Sequence, residues 1–211
     1  MHPESSAPLL FTPPIPPNVA RMQRLREATR VAHDRIERSL PLLDPSLTIA
    51  TYLRVLQAFH GFYAPLEPRL SRAVAGSGLP FTLDDRAKVP LLSADLGALG
   101  MTAADVDALP RCADLPRVSS ASQALGVLYV VEGATLGGRI ILRHLRGALD
   151  LDAARGAAFF AGYGERTGEM WTRFSRHVDE SRSIDTESVV GAAVETFDKL
   201  RSWIDTTLAR A

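Results

Sequence analysis

The sequence predicts an all-α protein. Three observations carry this: apolar residues recur at spacings of three and four through most of the chain, no segment shows the alternation of a half-buried strand, and no internal repeat is present. At 211 residues and 22.9 kDa the chain is long enough to bury one sizeable core, which favours a single domain.

The opening MHPESSAPLLFTPPIPPNVA holds six prolines, which fix φ and remove backbone donors, so residues 1–18 read as an extended tail outside the fold and 19–211 as the helical domain. The stretch has no basic lead and too short an apolar fragment for a secretion signal. From Val19, Met22, Leu25, Thr29, Ala32, Ile36 and Leu40 form one helical face, and Pro41 stops it. Residues 47–74 form a second helix on Tyr52, Val55, Leu56, Phe59, Tyr63 and Leu66, with Pro65 as a place to kink and Gly76, Gly78 and Pro80 closing it. Thr82 followed by Asp85 suggests a capping-box start for a shorter helix reaching Leu99. Residues 100–118 read as a connection with a helical turn. Ser119 to Leu149 is the longest periodic stretch. Residues 152–180, interrupted by GYGERTG, and 186–209, with Val190, Val194, Phe197, Leu200, Trp203 and Ile204 as a stripe, complete the helices.

Charge and cysteine content narrow the function. The 24 Lys and Arg balance 24 Asp and Glu, which argues against a broad nucleic-acid or anionic-membrane footprint. Cys112 is the single cysteine, so neither an internal disulfide nor a thiolate metal site can form, and a reducing cytoplasmic setting fits. No stretch reaches about 18 uninterrupted apolar residues, so no membrane span is expected.

VEGATLGGRI, residues 131–140, spends Gly133, Gly137 and Gly138 inside an apolar helix, at a combined cost of about 2–3 kcal/mol relative to alanine. Two readings stand. Small residues let another helix pack closely; alternatively, bare backbone lets a flat, large ligand lie against the helix, and a planar macrocycle fits that need. An iron macrocycle needs an axial ligand, most simply a neutral imidazole. Of five histidines, His2 lies in the tail, His144 sits past the glycines on the same helix and His177 in a polar stretch, all three reading as solvent-facing, and His60 reads as a hydrogen-bonded core or surface residue. His33, in LREATRVAHDRIE, has Glu37 at i+4 on the same face, where a carboxylate can orient a ligating ring. Arg26, two turns earlier, could hold an acidic group at the rim of a plate. An exposed His/Glu pair beside a surface arginine is the plainer alternative.

LREATRVAHDRIE resembles the proximal helix of heme oxygenases, and GVLYVVEGATLGGRII resembles their glycine-bearing distal helix, particularly in the bacterial biliverdin-forming branch; FHGFYAPLE and the C-terminal helix extend the likeness over residues 20–208. The resemblance implies a helical bundle holding heme between a proximal and a kinked distal helix. It makes His33 the iron ligand and Glu37 its partner, sets Gly133 and Gly137 over the distal face with Gly138 continuing the kink, and gives Arg26 and Arg173 to the propionates. Tyr129 and Phe197 either touch the macrocycle or belong to ordinary core. Where animal members carry an aspartate after the first glycine, this chain has Ala134, so distal water must be ordered by something else; Arg139 would serve only if it pointed inward.

The implied function is oxidative cleavage of heme, both substrate and cofactor, by O2 and reductant to biliverdin, CO and free iron. The electrons would come from a donor such as ferredoxin or a reductase, and a bilin-binding photoreceptor is one downstream user of the product. A non-catalytic heme carrier or sensor is the alternative on the same scaffold, and a heme-free helical module the third.

Overall fold

In the computed structural model the described residues are 20–75, 77–79 and 82–209, and they form eight α-helices and three short 3-10 turns with no strand among them. The proline-rich opening and the boundary at Val19 lie outside the described residues. The helices are α1 (Arg21–Ser39), α2 (Ile49–Val74), α3 (Val89–Ala98), α4 (Ala103–Asp107), α5 (Ala121–Leu149), α6 (Ala158–Ala161), α7 (Thr167–Glu180) and α8 (Thr186–Ala209).

α1 buries Met22, Leu25, Thr29 and Ile36 of the expected face and ends at Ser39, with Leu40 extended before Pro41 opens a 3-10 turn. α2 runs unbroken through Pro65 and also through Pro68. Pro65 removes the N–H that would bond the carbonyl of Gly61, and that carbonyl instead accepts from the Cys112 backbone N–H at 2.9 Å. The chain can come this close because position 61 has no side chain: a Cβ there would lie 2.5 Å from the Pro110 carbonyl oxygen.

The helix expected from Thr82 begins instead at Val89, after a 3-10 turn at Asp84–Arg86. Arg86 and Lys88 are drawn into the interior, with 2% and 1% exposure, and the intervening Ala87 is extended. The first amides of α3 are satisfied from another helix: Glu67 Oε1 accepts from the N–H groups of Lys88 at 2.5 Å and Val89 at 3.1 Å. A capping box does occur nearby, between Thr102 and Asp105 at the start of α4.

α5 is the spine. Its most extensive contacts are with α8, which also covers α1, and α2, α6 and α7 pack along its other sides. Gly126 sets the α5–α8 approach, since a Cβ there would lie 2.2 Å from the Val189 carbonyl oxygen. By length and composition α5 could cross a membrane, but half of its most apolar window is buried inside the protein, as in a core helix. The glycines at 133, 137 and 138 do not interrupt it. The expected break at GYGERTG is real: Gly162 and Gly164 adopt φ of 55° and 60°, which turns the chain between α6 and α7.

Candidate functional site

A cavity of about 550 Å³ opens between α1 and α5, within the range of small-molecule and cofactor sites. α1 contributes Arg26, Thr29, Arg30, His33 and Glu37; α5 contributes Tyr129, Gly133, Ala134, Leu136 and Gly137; Phe197 and Leu200 of α8 close the side behind α1. Its floor is aromatic. Phe59 and Tyr63 of α2 meet Phe159 and Phe160 of α6, with ring centroids 5.3 Å apart for Phe59–Phe159 and 5.0 Å for Phe159–Phe160.

His33 stands half-exposed at the mouth. Its Nδ1 lies 3.6 Å from Glu37 Oε2, close on the same face but longer than a formed hydrogen bond. The Phe197 ring meets the imidazole edge-on at 5.8 Å and 74°, which supports it from α8. Tyr129 lines the cavity and also ties the two helices, its hydroxyl 3.5 Å from Thr29 Oγ1 and its ring 5.9 Å from that of Trp171.

The three glycines divide between the two readings. A Cβ on Gly137 would meet nothing within 4 Å, and one on Gly133 only the edge of Trp171 at 4.0 Å, so both present bare backbone to the cavity. Gly138 does not. A Cβ there would lie 2.3 Å from the Phe160 carbonyl oxygen, so this position lets α6 press against the rear of α5 and takes no part in the cavity wall. Three- and four-residue spacing alone could not separate them, because 137 and 138 are about 100° apart on a helix and face different neighbours.

Arg173 is likewise outside the wall: it is exposed, while Trp171, about 200° away around α7, lines the cavity. Arg139 is exposed and also outside it. Sequence reasoning missed Arg30, one turn beyond Arg26 on the same face, and the aromatic floor, whose members come from α2 and α6 and share no local signal. His60 is 3% exposed and engaged by Ser93 at 3.2 Å and Arg111 at 3.1 Å, and burial holds its pKa below the usual value. His144 bonds the Asp44 carbonyl oxygen at 3.0 Å.

Behind the glycine stretch lies a buried polar cluster that the sequence did not announce. Glu132, 1% exposed, accepts from Arg86 Nη1 at 2.5 Å and from the Tyr163 hydroxyl at 2.7 Å. Lys88 Nζ lies 3.6 Å from the same carboxylate and donates to the Tyr163 hydroxyl at 2.7 Å. Burial pushes the Lys88 ammonium below, and the Tyr163 hydroxyl above, their ordinary ranges.

The cavity suits a heme. A Cβ-free helix face offers room for a plate, an imidazole stands at the mouth across from it, apolar rings form the floor, and Arg26 and Arg30 supply cations at the rim. Comparisons with known proteins agree. The heme oxygenase family model matches residues 20–206. Heme oxygenase PigA of Pseudomonas aeruginosa is 30% identical over 191 residues, covering 90% of this chain and 93% of that protein. A heme oxygenase of Xanthomonas campestris is 41% identical over 99 residues, 46% of this chain and 53% of that one. Among solved structures, the NO- and CO-bound heme oxygenase of Neisseria meningitidis superimposes with a TM-score of 0.75 at 20% identity, covering 90% of this chain and 93% of that one. The heme oxygenase of Leptospira interrogans does so with 0.73 at 19% identity, covering 89% and 100%. The chain belongs to the heme oxygenase family.

Proposed function

We propose that this protein binds heme between α1 and α5 and cleaves it with O2 and externally supplied electrons to biliverdin, CO and free iron. The observation that carries the reading is the cavity wall itself: His33 on one side, and on the other a helix bared at Gly133 and Gly137 where nothing else fills the space. When bound, heme supplies the oxygen-activating iron and is also the substrate, so the hard redox chemistry belongs to the ligand rather than to a protein nucleophile.

The chain's own residues bind and orient. His33 would hold the iron through Nε2, and Glu37, 3.6 Å from Nδ1, stands where a carboxylate could orient the ring. Arg26 and Arg30 pair with the propionates at the rim. Gly133 and Gly137 would let the main chain of α5 approach a bound plate closely. The rings of Phe59, Phe159 and Phe160 keep water from the buried side. Ala134 contributes no carboxylate to this wall.

Hemin titration followed by ascorbate in air tests the reading. Wild type should bind one equivalent and convert it to a product with biliverdin absorption. His33→Ala should lose the imidazole-type Soret band and reduce turnover at least about a hundredfold. An unchanged ferric spectrum in that variant overturns the ligand assignment, and a wild-type complex stable to ascorbate makes the protein a heme carrier.

A further inference from the structure

We infer that Glu132 is a positioning residue whose buried contacts with Arg86, Lys88 and Tyr163 set the height and rotation of the glycine stretch over the cavity, and so select which edge of the bound tetrapyrrole is cleaved. The inference rests on the heme-cleaving reading above.

From the cavity side α5 is almost unrestrained between residues 133 and 137, since the space in front of Gly137 holds no atom within 4 Å of where a Cβ would stand and that of Gly133 only the Trp171 edge at 4.0 Å. The register of this stretch must therefore be held from the rear, where Glu132, Thr135 and Gly138 recur every three residues on one face. Two of these contacts are steric: Gly162 packs on Thr135, with a Cβ there 3.3 Å away, and the Phe160 carbonyl oxygen packs on Gly138. Steric contact permits sliding and rolling. Glu132 adds direction, because charge-assisted hydrogen bonds to both carboxylate oxygens, 2.5 Å from Arg86 and 2.7 Å from Tyr163, are short and angle-dependent.

The holders come from two separate parts of the chain. Arg86 and Lys88 precede α3, where Glu67 of α2 fixes the Lys88 backbone, and Tyr163 lies in the turn after α6. Glu132 adjoins Gly133 directly in the same helix, so fixing its carboxylate restrains the main chain at the first bare position. A buried ion cluster is often no more stabilising than well-packed apolar residues, so its value here lies in the directional contacts it makes. Cleavage at one edge over another depends on small differences in approach, and a backbone held in one orientation provides them.

The test compares wild type with Glu132→Gln, which keeps shape but removes charge, Tyr163→Phe, which removes one hydroxyl, and Arg139→Ala, an exposed control. Each is checked for helical circular dichroism and titrated with hemin. The pH at which the ferric complex changes its visible spectrum is then recorded, and biliverdin isomers are separated after ascorbate turnover. Hemin affinity should stay within about threefold in all four proteins. In Glu132→Gln the isomer ratio should change at least about threefold and the spectral transition should move by about half a pH unit or more, with a smaller change of the same direction in Tyr163→Phe and none in Arg139→Ala. If Glu132→Gln does not fold, Tyr163→Phe carries the test. Folded, hemin-binding variants with the wild-type isomer ratio and transition overturn the inference. Failure of wild type to make biliverdin overturns the functional reading instead, and the spectral transition then still reports whether Glu132 governs the environment of the plate.

Discussion

Two neighbouring glycines on α5 make opposite demands, and substituting each with alanine separates them. At Gly137 a Cβ enters open space, so Gly137→Ala should stabilise the apoprotein by about 0.5–1 kcal/mol through helix propensity. The same methyl occupies room the plate needs, and hemin affinity should fall at least about tenfold. At Gly138 the methyl would press on the Phe160 carbonyl, and Gly138→Ala should lose about 1–3 kcal/mol by overpacking. Urea unfolding of the apoproteins and hemin titration check both; a stabilised Gly138→Ala, or Gly137→Ala with wild-type affinity, contradicts this division of roles. His33 and Glu37 were legible from their spacing, because both lie on one helix and need nothing else to meet. Trp171 and Arg173 were not separable, since the facing of α7 is set by what it packs against.

α6 is only four residues long, yet it supplies Phe159 and Phe160 to the cavity floor and the carbonyl that meets Gly138. Asp95 of α3 holds its start: the two carboxylate oxygens accept from the N–H groups of Ala158 at 2.7 Å and Phe159 at 2.8 Å. Burial nevertheless leaves the Asp95 carboxyl above the ordinary range, because desolvation outweighs the two bonds. Between the unfolded-chain value near pH 4 and this raised native value the folded protein binds the proton more tightly, so this group's contribution to stability falls as pH rises through that window. Asp95→Asn lacks the titration. The stability of wild type relative to this variant should therefore decline with rising pH across the window and level off above it, as read by denaturant unfolding at a series of pH values; a constant difference would contradict the assignment.

α5 forms a spine with α8 and α1 on one side and α2, α6 and α7 on the others, and a gap lies where Gly133 and Gly137 bare the helix. A ligand that fills this gap in the folded protein alone must stabilise it. Hemin at about one hundred times its dissociation constant should add about 2.7 kcal/mol, which for a chain this size raises the melting temperature by about 5–10 °C. At the same hemin concentration thermal scanning should show at least about half of that gain absent in Gly137→Ala, and an equal gain would mean hemin binds elsewhere. Helix content, the face of α1, the His33–Glu37 pair and the family likeness were all readable before any coordinates, because periodicity and short spacings are properties of one helix at a time; of the α8 stripe only Phe197, Leu200 and Ile204 are buried, and Val189, Ala192, Ala193 and Thr196 complete that face in place of Val190, Val194 and Trp203. The start of α3 was not readable, since Arg86 and Lys88 turn inward toward a carboxylate 46 and 44 positions away and break the local pattern. The separate duties of Gly137 and Gly138, the exclusion of Arg173, the aromatic floor and the Glu132 cluster likewise depend on which segments lie opposite one another, and distance along the chain carries no record of that.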